Sequence, residues 1–142
     1  MNKTFTGFIT KLEDNQIFVF GSNTEGRHGA GTALIARQKY GAKYGQAKGI
    51  QGKSYALITT DLTKKYRPSV DKSIVESNIK ELYDYASLNL DKEFLIAYTA
   101  SNKNLSGFTG LEFAEMFGKF DIPSNIIFED ELYALILSNQ KK

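Results

Sequence analysis

Cysteine and tryptophan are absent from this chain of 142 residues, histidine occurs once and proline twice. Without cysteine there is no disulfide, no thiolate nucleophile and no thiolate metal ligand. Its absence also suits a reducing compartment. The lone His28 excludes a metal site built on two histidines. No pair of carboxylates has convincing ligand spacing, so neither a metal nor any other cofactor is expected. No stretch approaches the roughly 18 apolar residues of a membrane span, and no membrane partner is expected. Residues Met1 to Phe8 carry one lysine and no long apolar run, unlike a secretory signal, which points to the cytoplasm. A charge excess is missing as well: 18 Lys and Arg face 16 Asp and Glu, a net of +2. That is little for a nucleic-acid stripe, whereas a small anionic ligand needs only a local site.

What is present is the make-up of a packed domain, with 42% hydrophobic, 13% aromatic and 24% charged residues. The length fits one domain over residues 1–142. Ile17-Phe18-Val19-Phe20 reads as a strand covered on both faces. A glycine-rich loop, Gly21 to Gly31, follows it. Thr32 to Tyr40 is then helix material closed by Gly41. Gly41 to Gly52 reads as weakly structured. Ser54 to Thr60 and Phe94 to Tyr98 are further strands, and Ile126 to Phe128 is a short fourth. Val70 to Leu88 carries helical periodicity, with Ser69 or Asp71 as its cap. Leu111 to Phe120 is a shorter helix. Residues 1–15 give at most an edge strand, and Glu131 to Ser138 is either helix or strand. The alternation implies an α/β fold, a three-layer α/β/α sandwich around a mixed central sheet. Two glycine loops then leave carboxyl ends of strands, where open α/β sheets bind ligands.

The first loop is neither a Walker A motif nor the usual dinucleotide fingerprint. Its glycines still permit close backbone approach, and a helix opening at Gly31 offers unpaired N–H groups to phosphate. A plain strand-to-helix turn is the alternative. Asn23 either holds a hydroxyl or water, or closes an Asx turn. His28 is either an acid–base group near neutral pH or a turn residue. Arg27 can touch phosphate, and Glu25 can orient a water. Ser106-Gly107-Phe108-Thr109-Gly110 repeats the logic, with Phe108 either stacking on a base or anchoring the loop. Asn102 and Asn104 are polar candidates at the rim, and Tyr40 and Tyr44 can wall the cleft. Lys64-Lys65-Tyr66-Arg67 is the best basic patch for RNA or DNA.

The stretches VFGSNTEGRHGAGTALIARQKYGA and GIQGKSYALITTD, together with Ser106 to Gly110 behind its strand, resemble the macro domain, the ADP-ribose-binding α/β/α module. They are similar in particular to a compact bacterial and phage branch of macro-like proteins. The resemblance implies a cleft for ADP-ribose or a related nucleotide diphosphate. Gly21, Ser22, Gly29, Ala30 and Gly31 would wrap the ligand on one side. Ser106, Gly107, Phe108, Thr109 and Gly110 would hold it on the other. Asn23 would position the distal ribose and a water, with His28 as the second catalytic group. Gln16 stands nearest to the aspartate that reads adenine in the family. Three functions follow as alternatives: hydrolysis of an ADP-ribosyl linkage, with an ADP-ribosylated macromolecule as substrate; a non-catalytic ADP-ribose or nucleotide-binding module; or an RNA-binding or structural accessory protein.

Overall fold

The computed structural model describes residues 2–101 and 104–140. In chain order the elements are β1 (Thr4–Phe5), β2 (Gln16–Asn23), α1 (Gly31–Lys39), β3 (Gly49–Gln51), β4 (Ser54–Thr60), α2 (Lys72–Ser87), β5 (Glu93–Ile96), α3 (Gly110–Phe117), β6 (Ile126–Glu129) and α4 (Asp130–Gln140). The six strands form one sheet in the order β1-β6-β5-β2-β4-β3. Every neighbouring pair is parallel except β3–β4, which is antiparallel. The fold is α/β with a mixed sheet, in three layers.

The layering follows from side-chain alternation along buried strands. In β2, Ile17 and Val19 enter one core with Tyr55 and Leu57 of β4 and Phe94 and Ile96 of β5. Residues of α2, α3 and α4 cover that face, among them Ile79, Leu82, Phe113, Phe117 and Leu132. Phe18 and Phe20 point the other way, to Ala33 and Ala36 of α1, Tyr40 and Ala56. The small alanines let α1 lie close to the sheet. Its thin cover is completed by Ile9 and Leu12 from the segment before β2.

Several boundaries differ from those the sequence suggests. Strand β2 runs past Phe20 through Gly21 and Ser22 to Asn23, because pairing with Leu57, Ile58 and Thr60 carries the ladder into the glycine loop. The stretch read as weakly structured holds the short edge strand β3. Helix α2 starts after Asp71, while Ser69 instead accepts from the Asp61 N–H at 2.8 Å. The tail is helix, opened by the buried Glu129 carboxylate, which accepts from the N–H groups of Glu131 and Leu132. No helix among the described residues is long and apolar enough to cross a membrane.

Candidate functional site

Strands β2, β4 and β5 all point their carboxyl ends to the same edge of the sheet, since they are mutually parallel. Chain from β2 turns to α1 on one face, and chain from β4 turns to α2 on the other. The diverging connections leave a crevice beyond the strand ends, as the geometry of open parallel sheets requires. A cleft of about 960 Å³ occupies it.

Its floor is made by the strand ends. Gly21, Ser22 and Asn23 close β2, Thr59 and Thr60 close β4, and Ala97, Tyr98 and Thr99 follow β5. Thr59 Oγ1 and Tyr98 Oη are 3.0 Å apart. Burial pushes the Tyr98 phenol up to about 12, so it stays a neutral hydroxyl. One hydrogen joins the pair, and either hydroxyl can be its donor. Gly21 is glycine for a plain steric reason: a Cβ there would lie 2.1 Å from the Tyr98 oxygen.

One wall is the start of α1. Gly29, Ala30, Gly31, Thr32 and Ala33 line the cleft. The N-cap position is Ala30, which supplies no side-chain acceptor, and no acid stands in the first turn. Gly31 sits at φ +59°, a left-handed conformation that suits glycine. The first turn of α1 therefore borders the cleft with no side-chain cap on its N–H groups. The opposite wall comes from Ser101, Asn104, Leu105 and Ser106. The mouth is rimmed by Phe8, Tyr44 and Leu62, with Arg27 and Arg67 as its charged groups. Arg27 Nε pairs with Glu25 at 2.9 Å. Arg67 Nη1 donates to the carbonyls of Lys64 and Tyr66.

Of the residues singled out from sequence, Gly21, Ser22, Asn23, Gly29, Ala30, Gly31 and Ser106 come together here. Tyr44 and Asn104 join them, as does Arg67, but Tyr40 is in the α1 core. Asn102 lies outside the described residues. The remaining candidates are elsewhere, each for a visible reason. Gln16 opens β2, at the sheet edge opposite the cleft, and its amide donates to Glu93 at 3.0 Å. Gly107 packs on the 61–69 connection, where a Cβ would meet Arg67 Cβ at 2.6 Å. Phe108 is buried edge-on against Phe113 and anchors its loop in the core. Thr109 caps α3 in a capping box with Glu112, so that helix start is already satisfied and carries an acid. Gly110 lies against the Ala100 backbone, with room for no side chain.

Asn23 lines the cleft, yet its amide serves the loop. Oδ1 accepts from the N–H groups of Glu25 and Arg27, and Nδ2 donates to the Arg27 carbonyl at 2.8 Å. The Asx-turn alternative thus describes its bonds. His28 does not line the cleft at all. It is fully buried behind the loop, edge-on to Phe20, with Nε2 3.5 Å from Ser22 Oγ. Nδ1 makes no complete hydrogen bond among the described residues. Burial lowers its pKa below 6.5, and the nearby Arg37 charge adds to the effect, while the Gln46 backbone opposes both. A neutral ring out of contact with the cleft is a packing element. In place of His28, strand-end residues Thr59, Thr60 and Tyr98 supply polar groups that the sequence reading missed. The rule that ligands sit at strand carboxyl ends was the signal that points to them.

The buried His28 makes stability depend on pH. The unfolded chain takes up a proton near 6.5, whereas the folded ring resists until a lower pH. Stability is therefore full above about 6.5 and falls as pH drops through the window below it, by at most about 1.4 kcal/mol per pH unit. Thermal melts of wild type and His28→Gln across this range should show the wild-type slope flattened in the variant. Parallel slopes would remove His28 as the cause.

No group of three or more metal-ligating side chains gathers among the described residues. No family model, curated protein or solved structure matches this chain.

Proposed function

We propose that the cleft binds ADP-ribose or a related nucleoside diphosphate and that the protein acts as a binding module without turnover. One observation carries this reading. Among the described residues that line the cleft there are two arginines and no Asp, Glu, His, Lys or Cys. The uncapped start of α1 faces the same space. Helix N–H groups, the helix dipole and arginine all favour phosphate. Among the described residues no carboxylate lines the cleft, and that of Glu25 beside the rim is paired with Arg27. The volume also suits more than a bare phosphate, since ligand pockets of small molecules run to about 300–1,000 Å³. The apolar rim of Phe8, Tyr44 and Leu62 fits a nucleobase better than it fits a sugar.

The same inventory argues against hydrolysis. General acid–base catalysis needs a titratable group within hydrogen-bond reach of the reacting atoms. Tyr98 stays protonated, His28 is behind the loop, and the Asn23 amide is spent on backbone groups. On this reading Asn23 serves ligand affinity through loop shape rather than a transition state.

Calorimetry with ADP-ribose, ADP and inorganic phosphate tests the ligand class; ADP-ribose and ADP are expected to bind and phosphate to bind weakly. Asn23→Ala frees three loop hydrogen bonds, each worth about 0.5–1.5 kcal/mol. Its affinity for ADP-ribose should fall on the order of tenfold or more. Single-turnover assays on an ADP-ribosylated protein should show no release by the wild type. Release that is lost in Asn23→Ala would reinstate the hydrolase, and no binding of either nucleotide would refute the ligand class.

A further inference from the structure

The near-zero net charge hides a separation between the two outer layers. From Gly26 to Thr60 the sequence contains six cations and no acid. Five of them, Arg37, Lys39, Lys43, Lys48 and Lys53, belong to α1 or to the segment that follows it. The helices of the other layer are opposite in sign: α2, α3 and α4 carry seven acids against Lys72 and Lys80, although their connections add Lys64, Lys65, Arg67, Lys92 and Lys119 interleaved with Asp61, Asp71, Asp91 and Asp121. Such segregation gives the α1 side a positive field that the total charge does not register.

The basic side is a surface, not a scatter of charges. Arg37, Lys39, Lys43 and Lys48 are exposed. The Gly45 N–H donates to the Gly26 carbonyl at 2.8 Å, which seats the segment after α1 against the first cleft loop. Arg37 lies over the exposed Tyr44 ring, 5.6 Å from its centroid. Acids reach this side only at its margins. Glu25 is paired with Arg27, Glu81 of α2 is paired with Lys48, and Glu13 and Asp14 precede β2. Arg37 and Lys43 have no ion-pair partner among the described residues.

We infer that the α1 layer and the 41–53 segment form a docking surface for single-stranded nucleic acid. The cations follow a sugar–phosphate backbone, and Tyr44, exposed and held under a guanidinium, offers one base a stacking platform. An acidic protein would use the charges but not the ring. A duplex would use the charges but keep its bases stacked away from Tyr44. The surface is separate from the cleft except at Tyr44, which lines its mouth. The inference does not depend on what the cleft binds.

The test is fluorescence anisotropy with a labelled single-stranded DNA of about ten nucleotides, a length suited to one small domain. Neutralising about three phosphates should give a slope of roughly −2 in a plot of log affinity against log salt. Arg37→Glu combined with Lys43→Glu reverses two charges outside the core and the cleft. It should weaken binding on the order of tenfold or more and flatten the slope, with the melting temperature kept. Tyr44→Ala should weaken binding severalfold and leave the slope unchanged. No oligonucleotide binding, or equal binding by the double variant, overturns the proposal. So does tighter binding of a polyglutamate peptide or of anionic vesicles, which would assign the surface to an acidic protein or a membrane. A duplex of the same length should bind more weakly; tighter binding to it would overturn the single-strand assignment.

Discussion

Replacing Ala30 by aspartate should weaken nucleotide binding on the order of 100-fold or more while leaving the protein as stable as before or stabler. Ala30 holds the N-cap position of α1 in extended backbone, at φ −155° and ψ 164°, the conformation in which a capping side chain works. An aspartate there would accept from the next helix N–H groups and place a charge at the positive end of the dipole. Caps of this kind contribute about 0.5–2 kcal/mol. The same carboxylate would occupy the acceptor position that the phosphate needs, and would repel it. Two unit charges about 4 Å apart near a protein surface interact by roughly 4 kcal/mol, so an affinity loss on the order of 100-fold is a conservative expectation. Ala30→Asn separates the two parts, since it competes for the N–H groups without charge and should cost less. Calorimetry and thermal melts on all three proteins read the outcome. Retained affinity in Ala30→Asp would detach the helix start from the ligand. The general point is that α3, with its capping box, shows the chain able to finish a helix start properly. Helix α2, like α1, lacks a side-chain cap bond, so what sets the start of α1 apart is its place on the cleft wall.

Gly21→Ala should cost about 3 kcal/mol of stability, or roughly 10 °C in melting temperature. The added methyl would meet the Tyr98 oxygen at 2.1 Å and its Cζ at 3.0 Å. Tyr98 has nowhere to go, because its ring packs 4.2 Å from Phe113 and also touches Phe117. Tyr98→Phe alone should cost about 1 kcal/mol through the lost Thr59 bond. Combined with Gly21→Ala it should restore about half of the loss, since it removes the nearer of the two clashing atoms. The double-mutant cycle is therefore strongly non-additive, as for residues in direct contact. Additive losses would show that the alanine fails for another reason.

The sequence disclosed what depends on local pattern. The four apolar residues Ile17 to Phe20 announce a strand covered on both faces, and the glycines that follow announce a loop that approaches something closely. Both are local properties. Which side of a loop faces the cleft is not. Phe108, Thr109 and Gly110 have the composition of a ligand loop, but they are an anchor, a cap and a backbone contact. Those roles are fixed by Phe113, Glu112 and Ala100, partners set by the fold. Gln16 had the right chemistry at the wrong end of its strand, eight residues from Asn23 counting both. Strand β3 escaped because three residues, Gly49 to Gln51, followed by another glycine, have too little pattern, and antiparallel pairing to β4 is what makes them a strand. His28 looked available because it stands among glycines, yet the loop folds it inward onto Phe20.

Strand β1 is only Thr4–Phe5, but it pairs with Phe128 and Glu129 of β6. Asn2 adds hydrogen bonds to the carbonyls of Pro123 and Ile126. During synthesis on the ribosome, residues 2–5 must therefore wait for residues 123–129, more than a hundred positions later, before their place exists. The cleft strands β2, β4 and β5 are complete by Ile96 and have no such wait. Until β6 is made, the growing chain carries the β1 segment as an unsewn thread, while β6, once made, has an open edge for as long as the thread is missing. An open parallel edge is a template for pairing with another chain. Seating this thread is thus the closing stitch of the sheet, and the step at which self-association competes with folding.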